Sequence, residues 1–380
     1  MEDMAPKDIG GVDRKKDLDG LRGVAVLMII FLHYVCRSGF FSYLGPPRIA
    51  LLLNSSWAGV DVFFVLSGFL IGGIIIDHGD AENFFRVFYL RRALRILPVA
   101  FLTIAFSYLV LPFCDPIIRF GDQVPPYAYL LFISNIWTAL GHRSYIPLGP
   151  MWSLAIEEQF YLFAPALLRS VGPRTRNVTL LATILISPLL RSSHLGPSSW
   201  DFTLFRLDGF AAGILVAAML RHACYRQFAE QNRRRINLVV IGLASAALVF
   251  ASWPRYSDHQ RIAFGVSLNS LATAGIILSL QINPRSLLSN ALSQSWLVTL
   301  GRYSYFLYLM HVPMLIYTMA AYRGGLNVVH PLFALGVTLP CAWASWHFLE
   351  SRLIQVGKRY PYSTLPRCLP AARNLTADSR

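Results

Sequence analysis

Long apolar segments, separated by short polar loops, recur along almost the whole chain. Each segment is continuously apolar, which is typical of membrane-spanning helices of roughly 20 residues and unlike the alternating strands of a membrane barrel. The pattern therefore predicts an all-α protein, a polytopic integral membrane helix bundle. Eleven such segments can be drawn, at 20–37, 57–76, 97–113, 127–140, 151–168, 178–190, 203–220, 237–253, 262–282, 297–320 and 329–349.

Basic residues are frequent at both ends of the chain. Lys and Arg concentrate on the cytoplasmic side of membrane proteins, so the tails 1–17 and 352–380 are both predicted to be cytoplasmic. The segment 18–351 between them is predicted to form one membrane domain. Its first apolar stretch is interpreted as a membrane helix and not as a cleaved signal peptide, because no small-residue cleavage site follows Cys36.

The number of crossings must be even if both ends lie on one side of the membrane. Three internal basic loops also fit the cytoplasmic side, at 91–95, 169–176 and 221–235. All of these assignments agree only if the stretch 127–168 crosses once. Its first part, 127–140, is about 14 residues long and therefore short for a span. We expect about ten transmembrane helices, with 114–150 facing outward and partly embedded in the membrane.

The composition narrows the class of protein further. Of the 380 residues, 55% are hydrophobic and 14% are charged, whereas a soluble domain carries about 25% charged residues. These values exclude an ordinary soluble enzyme, a disordered protein and a disulfide scaffold. The net charge of +14 is explained by basic cytoplasmic loops, so no nucleic-acid partner is expected. The five cysteines are too far apart to form a metal-ligand pair, and no metal is expected.

The first predicted membrane helix contains two ionisable residues, Arg22 and His33. Ionisable groups inside a membrane helix are costly and point to a functional site. The spacing of eleven residues is about three helical turns, so both side chains project from one face, roughly 16–17 Å apart along the axis. A lone histidine would be explained as a packing residue, but the arginine on the same face favours a shared polar cavity.

Further charged residues lie in or beside other apolar segments. Arg92 and Arg95 are neighbours on one helical face, where their guanidinium groups suit bidentate contacts to phosphate. Anchoring to lipid headgroups at the cytoplasmic surface explains the same residues equally well. Asp61 is either an acid in the first turn of its helix or a group that orients His33.

The pair Glu157 and Glu158 is harder to explain by anchoring, because both residues lie within an apolar segment. At least one of them is expected to face a cavity or to pair with an arginine. Arg206, Asp208 and His311 add to the ionisable residues inside apolar segments. A path lined by such groups fits a transporter as well as an enzyme, and the residues alone do not separate the two.

Taken in order, these segments resemble the membrane acyltransferase-3 family, which contains O-acetyltransferases of O-antigen, exopolysaccharides, Nod factors and some macrolides. Arg22 and His33 match the Arg-x10-His spacing of that family, and Arg92 and Arg95 match its Arg-x-x-Arg pair. Further matching blocks are 59–69, 152–161, 205–210 and 301–313. The resemblance covers roughly 18–350 and is to stand-alone members, which lack an appended SGNH hydrolase-like domain.

The resemblance implies an acyl-CoA-dependent O-acyltransferase, with cytoplasmic acetyl-CoA as the expected donor. Arg92 and Arg95 would bind the donor phosphates, and Arg22 would extend this basic entrance. His33 would act as general base on an acceptor hydroxyl or would carry the acyl group transiently. Asp61, Glu157 or Glu158 would orient and stabilise the imidazole.

The same resemblance implies a multi-pass protein of the cell inner membrane, in contact with membrane lipids. The acceptor would be a hydroxyl of a cell-surface polysaccharide, oligosaccharide or glycolipid. Two alternatives stay open at this point. One is a transporter or flippase-like protein that uses the same charged pathway, and the other is an acyltransferase that acts on a small secondary metabolite.

Overall fold

The computed structural model describes residues 15–36, 53, 55–114, 123–193, 200–252, 260–321 and 329–363. Most of the predicted N-terminal tail, the last part of the C-terminal tail and residues 115–122 of the predicted outward loop 114–150 lie outside these residues. Within them the chain is helical, and its extended structure is limited to one isolated bridge between Gln123 and Arg143. The prediction of an all-α, polytopic membrane protein is confirmed.

Ten helices of 15 residues or more form the described part of the bundle. They are α1 (Lys16–Phe31), α2 (Gly59–His78), α3 (Phe84–Ala105), α4 (Met151–Ser170), α5 (Pro173–Ser192), α6 (Leu207–Arg221), α7 (Arg233–Ser252), α8 (Val266–Ile282), α9 (Ser295–Ala321) and α10 (Val329–Ser345). Shorter helices at Ala223–Gln231, Leu287–Leu292 and Ser351–Lys358 connect or follow them. Helix α1 continues as a π-helical turn, Leu32–Cys36.

Among the described residues, seven helical stretches are long and apolar enough to cross a membrane. They are Lys16–Cys36, Ser55–His78, Phe84–Phe113, Thr203–Arg221, Arg233–Ser252, Ile262–Ile282 and His330–Lys358. Helix α4 has 20 residues, but it carries Glu157 and Glu158. Helix α5 also has 20 residues and carries three arginines. The predicted number of ten crossings and the side on which the termini lie stay predictions.

The segment 127–140 does not form one helix. It contains two short helices, Pro126–Leu130 and Ser134–Ala139, and between them Phe132 adopts a positive φ of 53°. At 1.5 Å per residue each helix is roughly 8–9 Å long, less than a third of the ~30 Å hydrocarbon core. Neither helix can span a bilayer by itself, in agreement with the sequence-based expectation for this segment.

Glycine residues allow two pairs of helices to approach closely. A Cβ atom on Gly301 of α9 would lie 1.8 Å from the carbonyl oxygen of Asp19 in α1. A Cβ atom on Gly213 of α6 would lie 2.1 Å from the carbonyl oxygen of Val65 in α2. Small residues at such crossings are a general device of membrane helix packing. The α1–α9 and α2–α6 contacts therefore fix the helices on which the candidate site is built.

Candidate active site

A cavity lies between helices α1, α2, α3, α4 and α9. One end is basic and is lined by Arg22, Arg92 and Arg95. The other end is lined by Val60 at the start of α2, Ser153 at the start of α4 and Tyr308 in the middle of α9. The predicted arginines of α1 and α3 are thus brought together at one end of a single cavity, although they are 70 residues or more apart in the sequence.

The arginine cluster 91–95 of α3 has two roles. Arg92 lines the cavity with its guanidinium over the ring of Tyr161, 5.5 Å from the ring centroid. Arg91 turns away and donates hydrogen bonds to the carbonyl oxygens of Gly357 and Tyr360, at 3.2 and 2.6 Å. On α1, Arg22 donates a hydrogen bond of 2.9 Å to Asp19. Arg92 and Arg95 therefore face the cavity, as the helical spacing predicts, while Arg91 holds the C-terminal segment.

The two glutamates of α4 differ in surroundings. Glu157 lines the cavity, and its Oε1 accepts hydrogen bonds from the hydroxyls of Ser67 and Tyr161. The Oε1 atom of Glu158 is buried and has no hydrogen-bond partner among the described residues. Successive residues of a helix point in different directions, which explains the division. Glu157 is the member of the pair that faces the cavity.

Asp61 forms a buried ion pair. Its Oδ1 atom accepts a hydrogen bond from Nη2 of Arg206 at 2.6 Å, and both side chains are 1% exposed. Its Oδ2 atom accepts a hydrogen bond of 3.3 Å from Asn269. The guanidinium of Arg206 also lies 4.8 Å from the ring centroid of Trp200. The structure thus places Asp61 against Arg206, and its role in orienting His33 stays a prediction.

His33 contacts a second histidine, His311. The Nδ1 atom of His33 lies 3.3 Å from Nε2 of His311 and 3.0 Å from the carbonyl oxygen of Ile29. His311 is fully buried, and its Nδ1 lies 2.6 Å from the carbonyl oxygen of Tyr308. Since Tyr308 lines the cavity, the histidine pair lies next to the end opposite the basic residues.

The backbone positions this pair from both sides. His33 lies in the π-helical turn at the end of α1, and such turns are frequent at functional sites because they redirect side chains. The hydroxyl of the next residue, Tyr34, donates a hydrogen bond of 2.8 Å to the carbonyl oxygen of His311. It also lies 3.1 Å from the hydroxyl of Thr338 in α10. Helices α1, α9 and α10 are therefore tied together at the level of the two rings.

His311 was not among the candidate site residues from the sequence. An ionisable residue in an apolar segment does point to a functional site. The contact with His33 could not be predicted, however, because 278 residues separate the two histidines. Tyr161 and Tyr308 were likewise not predicted, because hydroxyl groups in membrane helices are common and carry no spacing signal. The described structure brings Arg22, Arg92, Arg95 and Glu157 to one cavity, and it places Asp61 in a separate ion pair.

The fold and the cavity define a polytopic membrane protein with a polar site inside its helix bundle. Residues 15–347 match the family described as "Acyltransferase domain", which is acyltransferase 3. The chain belongs to this family, and the resemblance found in the sequence is confirmed.

Several curated relatives align with nearly the whole chain. YrhL of Bacillus subtilis (strain 168), provisionally named a peptidoglycan O-acetyltransferase, is 30% identical in an alignment of 369 positions that covers 90% of this chain and 55% of the relative. The O-acetyltransferase OatA of Staphylococcus aureus (strain NCTC 8325 / PS 47) is 27% identical over 92% of this chain and 58% of its own. The peptidoglycan O-acetyltransferase OatA of Listeria monocytogenes is 27% identical over 90% and 56%.

The chain therefore spans somewhat more than half the length of the curated relatives it matches. No solved structure matches it.

Proposed function

We propose that the chain is an integral membrane O-acetyltransferase that moves an acetyl group from acetyl-CoA to a hydroxyl of a cell-surface glycan. The observation that carries the proposal is the arrangement of one cavity, with Arg22, Arg92 and Arg95 at one end and the pair His33–His311 next to the other. Membership of the acyltransferase family and the names of the relatives support the type of reaction.

The basic end of the cavity suits the phosphate groups of the donor. Arg92 and Arg95 are one turn apart on α3, so both guanidinium groups can engage one polyphosphate. Arg22 faces the same space from α1. The donor would therefore enter at this end and extend its acyl-bearing arm along the cavity toward Tyr308 and the histidines. This direction agrees with the prediction that the basic ends of α1 and α3 are cytoplasmic.

The histidine end suits the transfer step. His33 accepts the proton of the acceptor hydroxyl as the hydroxyl oxygen attacks the thioester carbonyl carbon. The carbon–sulfur bond then breaks, and the imidazolium returns the proton to the CoA thiolate. The products are an O-acetyl ester and free CoA. A transient acetyl-imidazole on His33 gives the same products and leads to the same residue requirement.

The acceptor class is taken from the relatives. Two of them carry peptidoglycan in their names, so peptidoglycan is the first glycan to test for this chain. Other surface polysaccharides, oligosaccharides and glycolipids share the chemistry, because each presents a sugar hydroxyl to the same base.

The test measures glycan O-acetylation in the native host by NMR of the purified surface glycans. We compare wild type, a deletion, and the deletion complemented with wild type or with His33→Ala at matched membrane levels. We expect O-acetyl signals to vanish in the deletion, to return with wild type, and to stay absent with His33→Ala. O-acetylation that is the same in all strains would refute the glycan acceptor, and small hydroxylated metabolites would be tested next.

Donor binding has its own test. Arg92→Ala combined with Arg95→Ala is expected to weaken binding of a labelled, non-hydrolysable acetyl-CoA analogue to the purified protein by at least tenfold. Arg226→Ala removes an exposed arginine that pairs only with Glu230 in the described structure and is the control. Unchanged binding of the analogue to the double variant would refute the assignment of Arg92 and Arg95 to donor binding. Transport of a glycan without acetyl-CoA would instead support a transporter.

A further inference from the structure

We propose that His311 is a positioning residue for His33, and that it fixes which nitrogen of His33 carries the proton. The proposal rests on the proposed function, in which His33 acts as the base. Its evidence is a chain of contacts from the carbonyl oxygen of Tyr308, through the ring of His311, to Nδ1 of His33.

The first contact determines the protonation of His311. Its Nδ1 lies 2.6 Å from the carbonyl oxygen of Tyr308, and a carbonyl oxygen can only accept a hydrogen bond. The proton of the ring is therefore on Nδ1. In a neutral imidazole the other nitrogen then carries the lone pair, so Nε2 of His311 is an acceptor.

The second contact determines the protonation of His33. Its Nδ1 is close to two acceptors, Nε2 of His311 at 3.3 Å and the carbonyl oxygen of Ile29 at 3.0 Å. A proton on this nitrogen serves both of them. The reverse arrangement, with His311 as the donor, would place the lone pair of Nδ1 against the lone pairs of the Ile29 carbonyl. His33 therefore holds its proton on Nδ1, and its basic nitrogen is Nε2.

This arrangement serves the reaction when His33 becomes protonated. After Nε2 accepts the hydroxyl proton, the ring is an imidazolium whose Nδ1–H donates to Nε2 of His311. An acidic residue has this task in hydrolase triads, where it holds the tautomer and stabilises the imidazolium. A neutral histidine performs it without an extra negative charge inside the membrane, where an ionised carboxylate would be costly.

The surroundings of His311 hold its ring in place beside the ring of His33. Its side chain is fully buried in α9, and its backbone carbonyl accepts the hydrogen bond from Tyr34, the residue after His33. Helices α1 and α9 also meet at the glycine contact between Gly301 and Asp19. A ring held in this way can orient its neighbour with little loss of conformational entropy during the reaction.

Two polar substitutions separate positioning from packing. His311→Gln places an amide oxygen near the former Nε2, whereas the shorter side chain of His311→Asn does not reach that position. We expect His311→Gln to keep kcat for acetyl transfer within about tenfold of wild type. We expect His311→Asn to lose kcat by on the order of 10²-fold, the lower range for general-base catalysis, with KM for acetyl-CoA unchanged.

A double variant provides a second readout. If His311 acts only through His33, then His33→Ala combined with His311→Asn is no slower than His33→Ala alone. A purely structural role would instead lower the rate further or reduce the folded fraction, which is followed by size-exclusion chromatography for each variant. Equal kcat in wild type and a folded His311→Asn, or a double variant slower than His33→Ala, would overturn the proposal.

The third readout does not depend on activity. In protein labelled with ¹⁵N-histidine and placed in bilayers, the nitrogen chemical shifts report the tautomer of each of the nine histidines. The signals of His33 are assigned by their loss in His33→Gln. We expect the Nδ1–H form in wild type and in His311→Gln, and a mixture in His311→Asn.

The readouts distinguish the two proposals. An inactive wild-type protein with the expected tautomers would refute the proposed function and support the role of His311. Active wild-type protein with an unchanged His33 tautomer in His311→Asn would refute the role of His311 alone.

Discussion

The buried pair Asp61–Arg206 gives a stability prediction whose size follows from its geometry. Asp61→Asn removes the negative charge and leaves the arginine in place, 1% exposed, between α2 and α6. Two of the guanidinium nitrogens, Nε and Nη1, already lack a hydrogen-bond partner among the described residues. The arginine would thus lose its ion-pair partner and keep only a neutral amide oxygen at that position.

The expected cost is about 3–5 kcal/mol, the range for breaking a buried ion pair by removing one partner. Coulomb's law gives a similar figure, because two unit charges about 4 Å apart interact by ~4 kcal/mol at an effective dielectric constant of 20. The 2.6 Å contact between Nη2 and Oδ1 places the charges at about this separation. The aromatic ring of Trp200 stays over the guanidinium in the variant and limits the loss.

The assay is unfolding of the purified protein in mixed detergent micelles, titrated with sodium dodecyl sulfate and followed by tryptophan fluorescence. Glu230→Gln breaks the exposed pair with Arg226 and is the control, with an expected change within about 0.5 kcal/mol. The double variant Asp61→Asn with Arg206→Met removes both charges and is expected to be more stable than Asp61→Asn alone.

A change for Asp61→Asn no larger than that of the control would refute the reasoning. A variant with full stability but no acetyl transfer would also count against it, because the carboxylate would then act at His33 and not mainly in the ion pair.

Three further predictions concern packing and topology. Gly301→Ala is expected to destabilise the protein by about 1–3 kcal/mol or more in the same unfolding assay, because its Cβ atom would meet the backbone of α1. The control is Gly242→Ala, which has open space around it and should stay within about 1 kcal/mol of wild type. Tyr362→Ala removes a ring stacked 4.6 Å from His78, so trypsin should cleave after Lys358 faster than in wild type; an unchanged rate would mean that the ring does not hold the segment. Reporters fused after Tyr145 and after Pro173 should lie on opposite sides of the membrane, and finding both on one side would exclude a single crossing between them.

The helical bundle was predictable from the sequence because a membrane leaves few alternatives for a long apolar segment. The break within 127–140 was also predictable, since its length is insufficient for a span. Seven stretches of the described chain are long and apolar enough to span a membrane. Helix α4 has a similar length of 20 residues but is not one of them. Its two glutamates lower the hydropathy, and one of them, Glu157, lines the cavity, so the feature that weakens the membrane signal belongs to the candidate site.

The candidate site was predictable only in its local parts. The spacing of Arg92 and Arg95 placed them on one helical face, and the structure has both in the cavity. Contacts between distant helices carry no such periodic signal. The partner of Asp61 is 145 residues away and the partner of His33 is 278 residues away, so neither pair could be derived from spacing.

The arginines inside the bundle fall into two groups that the sequence did not separate. Arg191 and Arg206 are fully buried and each pairs with an aspartate, so their charges are neutralised within the protein. Arg92 and Arg95 line the cavity and form no ion pair with any described residue. Glu157 lines the same cavity but forms no ion pair with either of them. A guanidinium without a direct ion pair at membrane depth is costly unless water or another anion reaches it. The cavity gives an anion that access, and under the proposed function the phosphates of acetyl-CoA would form these ion pairs in the bound state.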